Sequence, residues 1–324
     1  MLVKKFRHVV FSSAILFSGV LTVSTSSVSA EKPEYGKVAY QHTEYLSEKI
    51  GPRVAGSPNE VKAGNYIFNE LKQLGYQPSK QTFSYTRRGT TKTSANIIGT
   101  KISKSNKLKN NPQIIIGAHY DSVSVGKGAD DNASSIGVIL ETAKAIQKRE
   151  LHYDVKFVFF GAEEEGLRGS DYYVSQMSQE EKDRTIVMIN LDSLLAGDNI
   201  YVYGSPGEDG WLRDLALDIA QKKGIPLGTN PGINPDYPQG TTGDWSDHAA
   251  FQEAGIPIGY LEATNWEIGD QDGYTQTVKH GEIWHTENDN LAFLEKEFPG
   301  RVETHLSQFT EILIQLMSDI KKVQ

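Results

Sequence analysis

Three segments of the 324-residue chain place ionisable side chains directly after apolar runs. QIIIGAHYDS delivers His119 and Asp121, VKFVFFGAEEEGLRGS carries Glu163, Glu164 and Glu165 just past Phe160, and TIVMINLDS delivers Asp192. Between the first two lies GADDNASS with Asp130 and Asp131, and a late segment, EIWHTENDN, adds His285 and Asp289. Consecutive glutamates at the end of a buried strand repel one another where desolvation already penalises each of them. Divalent cations would reverse that balance. Two imidazoles with several carboxylates and no thiolate suit zinc, with manganese or cobalt as alternative occupants. One of the glutamates need not be a ligand, because a carboxylate beside a cation-held water is placed to take its proton.

These residues can meet only if the segments before them are neighbouring strands. Strands are predicted over 96–99, 113–118, 155–160, 185–191, 199–203 and 256–261, and helices over 57–74, 133–148, 210–223 and 301–322. Apolar runs alternating with amphipathic stretches predict an α/β fold, a largely parallel sheet covered by helices. In such sheets ligands bind beyond the carboxyl ends of the strands. The first helix has a capping signal, Ser57 with Glu60 three residues on, and Gly75 stops it. The last carries Leu306, Phe309, Ile312, Leu313 and Leu316 at helical spacing. The irregular stretch GTNPGINPDYPQGTTGD, residues 228–244, is expected to form a rim of the site.

Together the motifs GAHYDS, GADDNASS, AEEEGLRGS, NLD and HTENDN, in that order over roughly residues 95–290, resemble the secreted two-metal zinc aminopeptidases, the bacterial leucyl aminopeptidase and aminopeptidase Y group. The resemblance implies a three-layer α/β/α sandwich with a mostly parallel mixed central sheet, of the zinc-exopeptidase type. It implies His119, Asp131, Glu164, Asp192 and His285 as ligands of two zinc ions, with Asp131 bridging. Glu163 becomes the general base, and Asp121 the group that orients His119 and raises its basicity. Asp289 is expected to serve His285 in the same way. The reaction implied is hydrolysis of the first peptide bond of substrates with a free amino terminus. Two departures stand out: Trp284 occupies a position where some relatives carry tyrosine, and there is no room for the protease-associated domain inserted in larger members.

Other readings compete. Glutaminyl cyclases share the scaffold with one zinc, and some carry tryptophan before the last metal histidine. A carboxypeptidase would need a cation for the terminal carboxylate, which no motif here places, and a non-catalytic binding protein would be expected to lack Glu163. Glu165 is read as a solvated or helix-starting residue, Asp130 as second to Asp131, and Arg168 and Gly169 as shaping a turn. His248 is read as a helix cap or supporting residue, and His42, His152, His280 and His305 as surface residues.

At the amino end, Lys4, Lys5 and Arg7 precede an apolar run over 9–23 and then Val28, Ser29 and Ala30, the order of a secretory signal peptide spanning 1–30. Residues 31–324 are then one catalytic domain, exported and extracellular. Losing three basic and no acidic residues would take the net charge from −8 to −11. So acidic a surface argues against nucleic acid or an anionic membrane as partner. With no cysteine, the chain must rely on its core rather than on disulfides.

Overall fold

The structure, a computed structural model, describes residues 34–103 and 111–320, so the expected signal peptide lies outside the described residues. Helix α1 (Lys37–Glu44) runs into a π-turn (Tyr45–Ile50) and is followed by α2 (Pro58–Gln73). Strands β1 (Ser79–Arg87) and β2 (Thr90–Lys101) form an antiparallel hairpin. Then come β3 (Gln113–His119), α3 (Ser134–Ile146), β4 (Asp154–Phe160), α4 (Arg168–Gln176), α5 (Gln179–Arg184), β5 (Thr185–Leu191) and β6 (Asn199–Gly204). The chain continues through α6 (Trp211–Lys223), β7 (Leu227–Gly228), α7 (His248–Glu253), β8 (Ile258–Thr264), α8 (Leu291–Glu297) and α9 (Arg301–Asp319).

All the strands join one mixed sheet in the order β1-β2-β4-β3-β5-β8-β6-β7. Its centre, β4-β3-β5-β8, is parallel, and β2 and β6 flank it antiparallel. Parallel strands buried on both faces read as continuous apolar runs, and every residue of β3 is buried. Alternation then sorts the side chains into two layers. Ile114, Ile116, Phe157, Phe159, Val187 and Ile189 pack with α3 and α9 on one face. On the other, Ile115, Val158, Phe160 and Met188 meet Tyr173 of α4 and Phe251 of α7. The expected α/β/α sandwich is therefore observed.

Helix α2 is capped as its sequence suggests, the Ser57 side chain accepting the Glu60 N–H, while Gly75 leaves the helix at φ +88°. On α9, Leu306, Phe309, Ile312, Leu313 and Leu316 are completely buried. At about 1.5–3 kcal/mol for each such side chain, this stripe anchors the helix more firmly than propensity could. His305, on the same helix, is buried beside Phe309 rather than exposed as expected, and burial lowers its pKa to about 4. Strand β1 escaped the sequence reading because it is a polar edge whose buried side chains are mainly Phe83 and Tyr85. Strand β8 starts two residues later than expected and runs on to Thr264. Among the described residues no helix is long and apolar enough to cross a membrane.

Arg53, fully buried, ties the parts together below the carboxyl edge of the sheet. Its guanidinium donates to the carbonyls of Tyr120 (2.8 Å), Lys127 (3.0 Å), Gly128 (2.8 Å), Leu46 and Gly51 (both 3.3 Å). It thereby shapes the loop that leaves β3. Within that loop Gly128 sits at φ +60°, where a Cβ would meet Ser122, Arg53 and the Asp131 carbonyl within 2.7 Å. Burial works against the charge of Arg53, and Asp289, Asp121, Asp131 and Glu164 work for it. Replacing Arg53 with methionine should cost roughly 3–5 kcal/mol, the scale of a broken buried charge network. Urea unfolding measures this, and a loss below about 1 kcal/mol would remove Arg53 from its organising role.

Candidate active site

Because β3, β4, β5 and β8 run parallel, their carboxyl ends open on one edge, and each tip contributes a side chain there. His119 closes β3, paired with Phe160 of β4. Beyond Phe160, Ala162 turns at φ +56°, and the Glu163 carbonyl accepts the N–H groups of Gly166 and Leu167, both at 2.8 Å. This tight turn sets Glu163 and Glu164 side by side. Asp121 holds it from below, its carboxylate accepting the N–H groups of Glu163 (3.1 Å) and Glu164 (3.2 Å). Asp192 follows β5, and its Oδ2 accepts a 2.7 Å bond from Ser246, which Asn190 in turn steadies at 2.9 Å.

Asp131 comes from the π-turn Ala129–Ala133, which contains a cis peptide between Asp131 and Asn132. Asp289 accepts the N–H groups of Asp130 (2.7 Å) and Asp131 (3.2 Å). Asp130 points away from the cluster, accepting from Leu195 (2.6 Å), Ala196 (3.1 Å) and the Gln276 amide (2.6 Å). The same Gln276 accepts the N–H groups of Ile283 (2.8 Å) and Trp284 (2.9 Å), fixing the turn on which His285 stands at φ +55°.

The result is two groups of donors that share one carboxylate. His119 Nε2 lies 3.1 Å from Asp131 Oδ1 and 3.4 Å from Asp192 Oδ1. His285 Nε2 lies 3.1 Å from Asp131 Oδ2 and 3.0 Å from Glu164 Oε2. Within each triad the ligand atoms lie within 4.8 Å of one another. Glu163 Oε2 stands 4.0 Å from His119 Nε2. It could also form a triad with His119 and Glu164, but the pair sharing Asp131 leaves it spare. The His119 side chain is 2% exposed, whereas that of His285 is 48% exposed and opens to the rim.

The electrostatics match this geometry. Hydrogen bonds to Asp131 and Glu164 push the His285 imidazole up to about 11. Burial opposes charge on His119, but Glu163 and Asp192 overcome it and raise that imidazole well above its usual value. Burial also raises Asp131, yet the two histidines outweigh it and hold its carboxyl well below the carboxylate range. Burial dominates at the glutamates, pushing Glu164 to about 7 and Glu163 well above its ordinary value. The buried Asp131 Oδ1 faces His119 and receives no backbone donor. Burial holds protons on the glutamates and the carboxylates hold them on the two imidazoles, and protons held in this way are what divalent cations displace.

The five expected ligands and Glu163 therefore converge, Asp121 lies behind His119 and helps to raise its imidazole, and the Asp289 role shifts. Asp121 reaches His119 Nδ1 through its backbone carbonyl (3.2 Å), its carboxylate being farther at 3.6 Å and engaged by the glutamate turn. Asp289 supports the Asp131 loop rather than His285. Glu165 is not solvated: it pairs with Arg87 and Lys92 of the β1–β2 hairpin, each at 3.0 Å. His248 begins α7 but caps nothing, and its Nε2 meets the Gly243 carbonyl at 2.9 Å. Arg168 opens α4 as expected.

The cluster forms one wall of a cavity of about 380 Å³. The other walls carry Tyr237, from the 228–244 loop, with Trp245, Tyr260, Tyr274 and Trp284. Glu262 lies there too, accepting from Tyr203 at 2.7 Å and Tyr260 at 3.0 Å, and burial pushes it to about 8. Sequence reasoning missed it. The rule that found the others, inspecting each strand tip, would have found it in GYLEATNW had β8 been followed to its end.

Comparison with known proteins agrees. The model of peptidase family M28 matches residues 96–310. The chain is 34% identical to the alkaline phosphatase isozyme conversion protein of Escherichia coli, covering 91% of this chain and 93% of that protein. It is 35% identical to aminopeptidase YwaD of Bacillus subtilis, covering 88% of this chain but only 58% of that longer protein. Among solved structures, a zinc aminopeptidase from Bacillus subtilis superposes with TM-score 0.71 at 22% identity, over 87% of this chain and 95% of that one. A Porphyromonas gingivalis glutaminyl cyclase gives TM-score 0.68 at 21% identity, over 89% and 99% of the two chains. At such identities the structural likeness speaks for the fold alone.

Exchanging Asp289 for asparagine would turn an amide toward the two N–H groups that hold the Asp131 loop. Affinity for zinc should fall about 10- to 100-fold, the usual effect of removing support behind a ligand. Calorimetric zinc titration reads the loss, and an unchanged affinity would show that the loop holds itself.

Proposed function

The chain belongs to peptidase family M28 and is an enzyme of the zinc-aminopeptidase group, and we propose that it hydrolyses the first peptide bond of peptides with a free amino terminus. The observation that carries this reading is the sharing of Asp131 between two donor triads, with Glu163 left over beside them in the cavity wall. His119, Asp131 and Asp192 would hold one zinc ion, and Asp131, Glu164 and His285 the other. When bound, such ions supply Lewis acidity toward the scissile carbonyl and bring the pKa of water down to ~7.

The protein's own groups do the rest. Glu163 takes the proton of the attacking water and passes it to the departing amine. Asp121 keeps Glu163 and Glu164 in register through their N–H groups, and its carbonyl fixes the Nδ1 proton of His119 so that Nε2 faces the cluster. The acidic walls draw in the free α-amino group and disfavour a blocked one. The cyclase reading has Trp284, immediately before His285, in its favour; the second complete triad weighs against it.

A Glu163→Gln variant should keep its zinc content while kcat falls about 10²- to 10⁴-fold. Chelator should abolish wild-type turnover, and acetylating the substrate amino terminus should protect it. Full turnover by Glu163→Gln, or equal cleavage of free and acetylated peptides, refutes the reading. Cyclisation of amino-terminal glutamine with one zinc per chain favours the cyclase.

We also propose that residues 1–30 direct export and are removed after Ala30, on the strength of the basic, apolar and small-residue order. Intact-mass analysis of protein from the culture medium should give a chain beginning at Glu31. A chain retained in the cell with residues 1–30 attached would overturn this.

A further inference from the structure

The two histidines of the cluster are held by different means. The His119 side chain is 2% exposed, and its ring is fixed through Nδ1, which meets the Asp121 carbonyl at 3.2 Å. The His285 side chain is 48% exposed, and among the described residues no group bonds to its Nδ1. Its Nε2 alone faces Asp131 and Glu164. The residue also stands at φ +55°, a conformation that persists in a non-glycine residue only where its surroundings over-determine it. The ring does not supply that constraint, so the backbone before it must.

The fully buried Gln276 closes the neck of the loop that ends at His285. Its Oε1 accepts the N–H groups of Ile283 (2.8 Å) and Trp284 (2.9 Å), the two residues before the histidine. Within the loop Thr277 and Gly281 exchange backbone bonds of 3.0 Å, and at its base the Gln276 carbonyl accepts the Asp198 N–H at 3.0 Å. The other end of the amide, Nε2, donates to Asp130 Oδ2 at 2.6 Å. Asp130 precedes Asp131, and its Oδ1 takes the N–H groups of Leu195 and Ala196 in the turn that follows Asp192. One side chain therefore spans from the His285 turn to the turn that carries Asp131. An amide suits this place because it offers an acceptor at one end and a donor at the other. Glutamate would set two acceptors against each other, and lysine or arginine would leave the Ile283 and Trp284 N–H groups without an acceptor.

We propose that Gln276 is the positioning residue of His285: braced on Asp130, it sets His285 against Asp131 and so preforms the triad of Asp131, Glu164 and His285. The inference rests on the two-zinc reading of the cluster. The triad of His119, Asp131 and Asp192 does not need this amide, because its two aspartates are joined without it. Asp130 keeps Leu195 and Ala196, and Asn132 accepts the Ser193 N–H (3.3 Å) while donating to the Leu191 carbonyl (3.1 Å). Loss of the Gln276 link therefore acts on one triad and spares the other.

The test is calorimetric zinc titration of wild type, Gln276→Glu, Asp130→Asn and the double variant, with His285→Ala marking which of the two binding steps belongs to its triad. Gln276→Glu sets acceptor against acceptor and Asp130→Asn sets donor against donor, whereas the double variant exchanges the two groups and restores the pair. Each single change should weaken the marked step about 10- to 100-fold and leave the other within about 3-fold. The double variant should return the marked step to within about 3-fold of wild type. Should the single variants fold poorly, amide exchange of wild type in chelator reports the same role: Ile283 and Trp284 should stay protected to within about 3-fold of the zinc-loaded protein. An equal loss in both steps, no loss, or no recovery in the double variant overturns the inference. So does rapid exchange of the two amides that only zinc slows. A wild-type protein that takes up one zinc per chain, or none, removes the two-zinc reading and this inference with it.

Discussion

Negative charge crowded at one edge of a parallel sheet is the constraint on which the rest of the architecture turns. Asp121, Asp130, Asp131, Glu163, Asp192 and Asp289 are all buried, with Glu164 beside them. Like charges in a low-dielectric pocket are costly, so the protein compensates at several levels. Arg53 sits beneath them as a fixed, fully buried countercharge. Backbone N–H groups take Asp121, Asp130 and Asp289, and the two imidazoles face the remaining carboxylates. Carboxylates supplied with donors from the backbone become scaffolding. Asp131 and Glu163 have no such backbone donor and are left facing the cavity, and Glu164 takes one, the Val123 N–H at 3.1 Å, while its other oxygen meets His285.

This division explains why acidic residues adjacent in sequence have opposite duties. Asp130 and Asp131 are neighbours, yet Asp130 turns inward to Leu195, Ala196 and Gln276 while Asp131 faces both histidines. Glu164 and Glu165 divide in the same way. Glu165 leaves the cluster for Arg87 and Lys92, so the β1–β2 hairpin absorbs the third charge of the glutamate run. Three glutamates in a row are tolerated because each meets a different environment. One faces the cavity, one pairs with His285, and one lies against a basic hairpin.

Much of the fold and the central cluster could be read from sequence because both follow from local patterns. Continuous apolar runs of strand length mark parallel strands, and polar residues at their ends mark the active edge. His119, Glu163, Glu164 and Asp192 needed only those two rules. Roles that depend on what the chain meets far away were not legible. Asp289 and the Asp131 loop are separated by more than 150 residues, and only the fold shows that Asp289 serves that loop. His305 read as a surface residue in helical surroundings, but it falls on the buried side of α9. Strand β1, half polar and at the sheet edge, lacked the apolar run that betrayed its neighbours.

The two walls of the cavity also differ in how their polar groups are satisfied, and that difference sets a direction. On the histidine wall each imidazole nitrogen facing the cluster already has carboxylate partners, so the wall is organised around charge of its own. On the aromatic wall the rings are braced by one another and by the Trp266–Tyr203–Glu262 chain of hydrogen bonds, which ends at a carboxyl group lining the cavity. Rigid rings lose little conformational freedom when a guest arrives, so specificity at that wall costs little flexibility elsewhere. A guest entering past the half-exposed His285 meets the histidine and carboxylate cluster on one side and the aromatic wall on the other.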